Sequence, residues 1–138
     1  MSTRFGKEER LRSRKVIQAL FNRQGNSIAQ YPLRLIWMPI EARKSAFPAQ
    51  FGVSVPKRRF KKAVTRNMLK RRIRESYRLQ KHLIYEALGD EEQQFALMAL
   101  YTGQDILTFH EIDQILKHLF RRFLKKQAGR KNQTNQKM

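Results

Sequence analysis

The residues of this chain that could bind a ligand through charge are concentrated in one stretch, residues 57–81. Twelve of the 30 lysines and arginines lie in these 25 residues, and the only acid among them is Glu75. Ordinary solvated helices mix both signs and gain ion pairs between residues three or four apart. Charges of one sign repel each other, so we expect a polyanion, such as a nucleic-acid backbone, to neutralise them. The competing interpretation is a solvated helix face.

From Thr65 onward the same stretch has the pattern of an amphipathic helix. At about 100° per residue, one side carries Leu69, Ile73, Ser76, Leu83, Ile84 and Ala87, with Tyr77 at its margin. An adjoining side, called the basic arc below, carries Asn67, Lys70, Arg71, Arg74, Arg78 and Lys81. The pattern therefore predicts a helix that packs one side on a core and presents the other to a polyanion.

No pattern of residues indicates catalysis by protein side chains. The chain has no cysteine, which excludes a disulfide framework, a thiolate metal site and a cysteine nucleophile. The three histidines form no close ligand pattern with acids, and the acids at 90–92 are typical of a solvated loop. There is also no glycine-rich phosphate loop. We predict no catalytic residue and no metal site in the protein.

Composition is consistent with one small domain that binds an anionic partner. The chain has 138 residues, 41% of them hydrophobic, a formal net charge of +19 and a pI of about 11.2. Such a charge indicates nucleic acid or an anionic membrane as partner. No apolar run approaches the roughly 18 residues of a membrane span, and the N-terminus lacks the apolar region of a secretory signal. We expect a cytoplasmic protein without membrane contact.

The first half of the chain predicts a helix and two strands. Residues 1–12 are polar, and we expect them to be flexible. Ser13 can cap a short helix that runs to about Arg23. Tyr31–Met38 alternates as a strand, with a start as early as Ser27 left open, and a loop follows over Pro39–Pro48. Gln50–Pro56 is a second strand, with Phe51, Val53 and Val55 on one face and small residues on the other.

The second half predicts the basic helix, a third strand and a last helix. The basic helix should end near Leu88, before an acidic loop. Phe95–Tyr101 is apolar on both faces, which is typical of a central strand. Thr108 to Glu111 matches a capping box and begins an amphipathic helix that should end near Lys126.

These elements predict an α+β fold in which a small mixed sheet is packed with helices in the order α-β-β-α-β-α. We expect residues 1–127 to form a single domain that binds a polyanion. Residues 128–138 are polar and poor in apolar side chains, and we expect them to be a disordered basic tail.

Two motifs resemble a known family. Residues Arg66–Glu75, RNMLKRRIRE, resemble the Arg-Asn-Arg signature helix of the bacterial ribonuclease P protein subunit, which runs approximately R-N-R-(I/L)-K-R-x-(I/L)-R-E. The stretch FGVSVPKR from Phe51 is similar to the family's F-G-(I/V)-S-V-x-K-(K/R) strand. Residues 10–12 and 21–25 resemble its first helix. Met68 departs from the pattern, because the family usually has its second arginine there.

The resemblance implies a function. Proteins of this family join a large catalytic RNA that cleaves the 5′ leader from precursor tRNA, and that RNA carries the Mg²⁺-dependent hydrolysis. The protein binds the RNA and the single-stranded leader. The resemblance also implies a left-handed βαβ crossover, which periodicity cannot show and which the usual handedness rule does not predict.

The family motif also assigns residues to the two RNAs. The resemblance implies that the catalytic RNA contacts Arg66, Asn67, Lys70, Arg71 and Arg74. It places a leader groove between the first helix and the sheet, where the matching positions are Ile17, Phe21 and Lys57. Phe21, Tyr31 and Trp37 are candidates for stacking on unpaired bases, although each could instead be a core residue.

Other functions remain open at this stage. A ribosomal or other structural RNA-binding protein would have the same size and charge, and the motif Arg66–Glu75 argues against it. A DNA-binding helix usually carries Asn, Gln or Ser to read base edges. Asn67 and Ser76 are such residues, and Ser76 faces the core side. A protein-only nuclease would need a second cluster of carboxylates besides the acids at 90–92, and the sequence lacks one.

Overall fold

The core of the fold is a four-stranded mixed sheet with the spatial order β1-β2-β4-β3. The computed structural model of the chain describes residues 4–40, 47–89 and 93–136. β1 and β2, and β2 and β4, are antiparallel, whereas β3 and β4 are parallel. The strands are β1 (Asn26–Gln30), β2 (Leu33–Ile40), β3 (Ala49–Ser54) and β4 (Gln94–Tyr101). The sequence predicts Phe95–Tyr101 as a central strand. The structure confirms this prediction, because β4 lies between β2 and β3.

Three helices accompany the sheet, and their predicted starts are confirmed to within two residues. They are α1 (Arg14–Ala19), α2 (Ala63–Leu88) and α3 (Phe109–Gln136). Ser13 Oγ accepts a hydrogen bond from the Val16 N–H at 3.3 Å and so caps α1. A wider helical turn, Leu20–Gln24, extends α1. The capping box is also present, because Glu111 N donates to Thr108 Oγ1 and Thr108 N donates to Glu111 Oε1.

Each face of the sheet buries its own apolar cluster. On β2, Leu33, Leu35 and Trp37 belong to the larger cluster, to which α2 and α3 contribute. Ile36 of the same strand belongs to the smaller cluster, which contains Leu11 and Leu20 from the N-terminal side of the chain. The alternation predicted for this strand is therefore confirmed, and the α+β class is confirmed with it.

The first strand of the prediction is two strands in the structure. β1 and β2 form an antiparallel hairpin joined at Tyr31–Pro32, which is a cis peptide. The sequence of β1, NSIAQ, has a single buried residue, Ile28, and this weak alternation hid the strand. β2 also continues to Ile40, through Pro39. β1 pairs only as far as Trp37, and proline is tolerated where a strand is not flanked on both sides.

The last helix is longer than predicted. α3 continues to Gln136 instead of ending near Lys126, so the prediction of a disordered tail is wrong for residues 128–136. Extending a formed helix costs little, because each added residue gains a hydrogen bond without a new nucleation step. Most of the loop predicted after β2 and the acidic loop after α2 lie outside the described residues. The extent of the single domain stays a prediction.

α2 connects the parallel neighbours β3 and β4, which makes the βαβ unit that the family resemblance implies. The left hand of this crossover stays a prediction from the resemblance. What matters for function is where the crossover puts α2, because the helix packs against β3 and α3 along one side only. Its other side remains available for a partner.

The N-terminal segment, residues 4–12, was predicted to be flexible, but it is bound to the fold. Glu9 and Lys81 form an ion pair at 2.6 Å with about 4% of each side chain exposed. Tyr85 Oη donates to the same Glu9 oxygen at 2.6 Å. Leu11 N donates to the Phe51 carbonyl at 3.0 Å, beside the edge strand β3. Burial, the neighbouring Tyr77 and the bond to Glu9 raise the pKa of Tyr85. These contacts are long-range, so periodicity could not predict them.

We predict that Glu9→Gln destabilises the protein by about 3 kcal/mol, because it leaves the buried Lys81 ammonium without a counter-charge. Urea unfolding monitored by circular dichroism measures the change. Glu8→Gln is the matched control, since Glu8 is exposed and its side chain is not in this network. Equal stability of the two variants would contradict a structural role for the ion pair.

Candidate RNA-binding site

α2 has one buried side and one charged side, as the helical periodicity of the sequence predicts. Leu69, Ile73 and Ile84 are fully buried, and Ser76 is buried with them. The structure changes the predicted margins in three places, one of which is Ala87, predicted on the core side but exposed. Tyr77 is fully buried instead of marginal, because the N-terminal segment covers it. Leu83 was predicted on the core side, but it is 40% exposed.

The basic arc loses one predicted member and keeps the others. Lys81 is buried against Glu9 and cannot reach a partner. Asn67, Arg71 and Arg74 are exposed, and Lys70 is partly exposed. Lys70, Arg71 and Arg74 form no ion pair with a carboxylate of the described residues. The surface therefore keeps a net positive charge along about two turns of helix.

Arg78 and Glu75, at the edge of the basic arc, neutralise each other. Arg78 Nη2 and Nε donate to the two carboxylate oxygens at 2.6 and 3.0 Å. The hydrogen bond lowers the pKa of Glu75 and raises the pKa of Arg78. In contrast, partial burial and the positive charge of Arg10 lower the pKa of Arg74. The strongest positive field is therefore expected N-terminal to Arg78.

Arg66 has a structural role that the sequence did not reveal. Its Nη1 donates to the carbonyl oxygens of Phe60 and Lys61 at 2.9 and 2.8 Å. The side chain thus fixes the loop that leads from β3 into α2. Arg72 is similarly occupied, because its Nη1 donates to the Leu107 carbonyl at 2.5 Å. Arg72 consequently points toward α3 and does not replace the arginine that the family usually has at Met68.

Two of the predicted leader residues, Ile17 and Phe21, lie on or just beyond α1, beside the sheet face of the smaller cluster. Ile17 is partly buried against the smaller apolar cluster. Phe21, just beyond α1, is 45% exposed, which is unusual for a large aromatic side chain. Lys57 is exposed, three residues after β3 ends. The structure therefore leaves all three partly or fully accessible.

The strand register adds a row of residues that the sequence analysis missed. Arg34, Leu100 and Ser54 are neighbours on β2, β4 and β3, and all three are partly exposed. Their alternation places them on the same face as Ile36, the face of the smaller cluster. The sequence shows which residues of a strand share a face, but it does not show which residues of neighbouring strands are paired. The row could form the floor of a groove beside α1.

The other aromatic candidates differ in exposure. Trp37 is buried and packs edge-on against Phe123 with ring centres 5.1 Å apart, so the core interpretation is correct for it. Tyr31 is 69% exposed in the β1–β2 turn. Tyr31 lies on the turn and not on the strand row, so Phe21 is the aromatic candidate beside α1.

No group of three or more His, Cys, Asp or Glu side chains in the described part of the chain could hold a metal ion. In those same ranges, none of the helices has the length and apolar character needed to cross a membrane.

Comparison with known proteins decides the family. A family profile described as Ribonuclease P matches residues 5–124 of the chain. The ribonuclease P protein component of Porphyromonas gingivalis is 40% identical over 111 residues, which is 80% of this chain and 80% of that protein. The chain belongs to the ribonuclease P protein family. The corresponding component of Rippkaea orientalis is 36% identical over 74 residues, 53% of this chain and 58% of that one.

Solved structures of ribonuclease P proteins have the same fold. The Thermotoga maritima protein superposes with a TM-score of 0.62 at 22% identity, covering 83% of this chain and 96% of that one. The Staphylococcus aureus protein gives 0.61 at 22% identity, covering 82% and 93%. Family membership makes the chain a component of ribonuclease P, the holoenzyme that processes tRNA 5′ ends, with an RNA partner. The alternative of a ribosomal or other structural RNA-binding protein is not favoured.

Arg66 and Arg71 should respond differently to substitution. Arg66→Ala should lower stability by about 1–2 kcal/mol, because it removes two hydrogen bonds from a charged group. Arg71→Ala should change stability by less than about 0.5 kcal/mol and make the salt dependence of RNA affinity shallower by about one unit. Thermal melts and RNA titrations at several salt concentrations measure both. Equal loss of stability in the two variants would contradict the assignment.

Proposed function

We propose that the chain binds the catalytic RNA of ribonuclease P through the basic arc of α2. The observation that carries this proposal is a row of cations, Lys70, Arg71 and Arg74, without carboxylate partners among the described residues. The opposite side of the same helix is fully buried, so the row has a fixed orientation. Asn67 and Arg66 would extend this surface toward the start of the helix, with Arg66 also holding the preceding loop.

We also propose that the groove beside α1 binds the single-stranded 5′ leader of precursor tRNA. Exposed Phe21 can stack on an unpaired base, and Ile17 offers an apolar neighbour one turn earlier. Lys57 and Arg34 supply positive charge for the leader phosphates near the row formed with Leu100. Such contacts would increase affinity for precursor tRNA over mature tRNA, which has no leader.

In this proposal, the RNA carries the hydrolysis with Mg²⁺, and no protein side chain is catalytic. Three of the described acids are engaged in structural contacts, which supports this division. Glu9 pairs with Lys81, Glu75 pairs with Arg78, and Asp113 accepts hydrogen bonds from Ser76 and Gln80. We further propose a cytoplasmic location, with no DNA or membrane partner.

Binding of precursor and mature tRNA to the reconstituted holoenzyme tests the leader groove. Phe21→Ala should weaken precursor binding by about 1–3 kcal/mol and leave mature tRNA binding and affinity for the catalytic RNA unchanged. Tyr31→Ala is the matched control, because Tyr31 is an exposed aromatic residue away from the strand row. A large fall in melting temperature, or equal loss for both tRNAs, would remove Phe21 from the proposed groove.

The same titrations without protein test the proposed function as a whole. Catalytic RNA alone should bind precursor and mature tRNA with similar affinity, and adding the chain should favour the precursor. At low Mg²⁺ the chain should also increase cleavage, because it adds affinity for the substrate. The proposal fails if the chain neither binds the catalytic RNA nor changes cleavage.

A further inference from the structure

A second guanidinium group, outside α2, lies beside the basic arc. Arg10 is part of the N-terminal segment, and its backbone forms a parallel bridge with Phe51 at the edge of β3. Its side chain is exposed, and the guanidinium carbon is 5.3 Å from the centre of the Phe5 ring. Such a distance is typical of a cation–π contact. The position of Arg10 is therefore set by both its backbone and its side chain.

Phe5 connects this arginine to α2. Its ring lies edge-on to Tyr77 of α2, with centres 5.4 Å apart, and to Phe51 at 6.4 Å. Tyr77 is three residues, about one helical turn, beyond Arg74, so the contact of Phe5 with α2 lies within about one turn of Arg74. The positive charge of Arg10 contributes to the lowered pKa of Arg74, which supports their proximity.

Arg10 and Arg74 carry the same charge and therefore repel each other. Neither forms an ion pair with a carboxylate in the part of the chain that the structure describes. The buried contacts of Glu9 with Lys81 and Tyr85 hold the segment in place despite this repulsion. An anion between the two groups would relieve it, and the planar guanidinium fork suits phosphate oxygens.

We propose that Arg10 and Arg74 together bind one stretch of phosphodiester backbone in the catalytic RNA, so that the N-terminal segment forms part of the RNA-binding surface. This inference rests on the proposed function and extends it to a residue outside the Arg66–Glu75 motif. Glu9 then acts as a positioning residue, because its ion pair with Lys81 anchors the segment that carries Arg10.

Affinity for transcribed ribonuclease P RNA, measured over a range of salt concentrations, tests the proposal. Arg10→Ala should weaken binding several-fold and make the salt slope shallower by about one unit. Arg10→Lys should keep the slope and lose part of the affinity, because lysine keeps the charge without the fork. Arg121→Ala, which removes an exposed arginine of α3, is the matched control and should change neither.

Double substitution tests whether the two arginines act on the same stretch of RNA. Arg10→Ala combined with Arg74→Ala should cost less than the product of the single effects, because residues that share a partner are coupled. Arg74→Ala combined with Arg121→Ala should weaken binding by the product of the two single effects. Thermal melts of every variant should agree with wild type, since Arg10, Arg74 and Arg121 are exposed.

Three results would overturn the inference while leaving the proposed function intact. Arg10→Ala could match Arg121→Ala in affinity and slope, the double variant could show the full product, or the loss could appear only in precursor tRNA binding. In each case the wild-type chain would still bind the catalytic RNA. If the wild-type chain does not bind that RNA, the proposed function fails and the inference fails with it.

Discussion

The packing around the Tyr77 side chain is the interaction on which the rest of the structure depends. Its ring stacks on Phe51 of β3 with centres 4.1 Å apart and planes 4° from parallel. Phe120 of α3 and Phe5 of the N-terminal segment meet it edge-on, at 5.9 and 5.4 Å. One fully buried side chain thus joins four parts of the fold. Burial raises the pKa of Tyr77 above its ordinary value.

This junction fixes the rotation of α2 about its axis. With Ile73 and Tyr77 inward, Arg71 lies about 160° and Arg74 about 100° around the helix from Ile73, at about 100° per residue, so both lie away from the buried side. A second contact sets the same rotation from α3. Ser76 donates to Asp113 Oδ1 at 2.8 Å, and Gln80 donates to the same oxygen at 2.9 Å. The cost of holding like charges together is therefore offset by burial and polar contacts on the opposite side.

Local patterns in the sequence predicted the elements, and long-range contacts account for what they missed. The 3.6-residue period of α2, the alternation of β2 and the capping box at Thr108 each depend on neighbouring residues, and the structure confirms them. The binding of residues 4–12 depends on Glu9 meeting Lys81, 72 positions away. No periodicity reports such a contact. The same contact removed Lys81 from the predicted basic arc.

The candidate site shows the same difference between local sequence patterns and long-range contacts. The family motif and the helical period together named the outward-facing residues of α2, such as Asn67 and Arg71. The motif could not show that Arg66 bonds the preceding loop, because that contact requires the loop to turn back. Nor could it include Arg10, which reaches α2 through the N-terminal segment. The strand row at Arg34 likewise required the register of the sheet.

The central claim is that the basic arc, and not the surface of α3, faces the catalytic RNA. The chain contains no cysteine, so single cysteines can carry an iron chelate that cleaves nearby RNA by hydroxyl radicals. Met68→Cys places the probe between Asn67 and Arg71 on α2, and Gln114→Cys places it on the exposed side of α3. We predict specific cuts in the ribonuclease P RNA from position 68 and none from position 114. Cuts of equal strength from both positions, or from position 114 alone, would contradict the account.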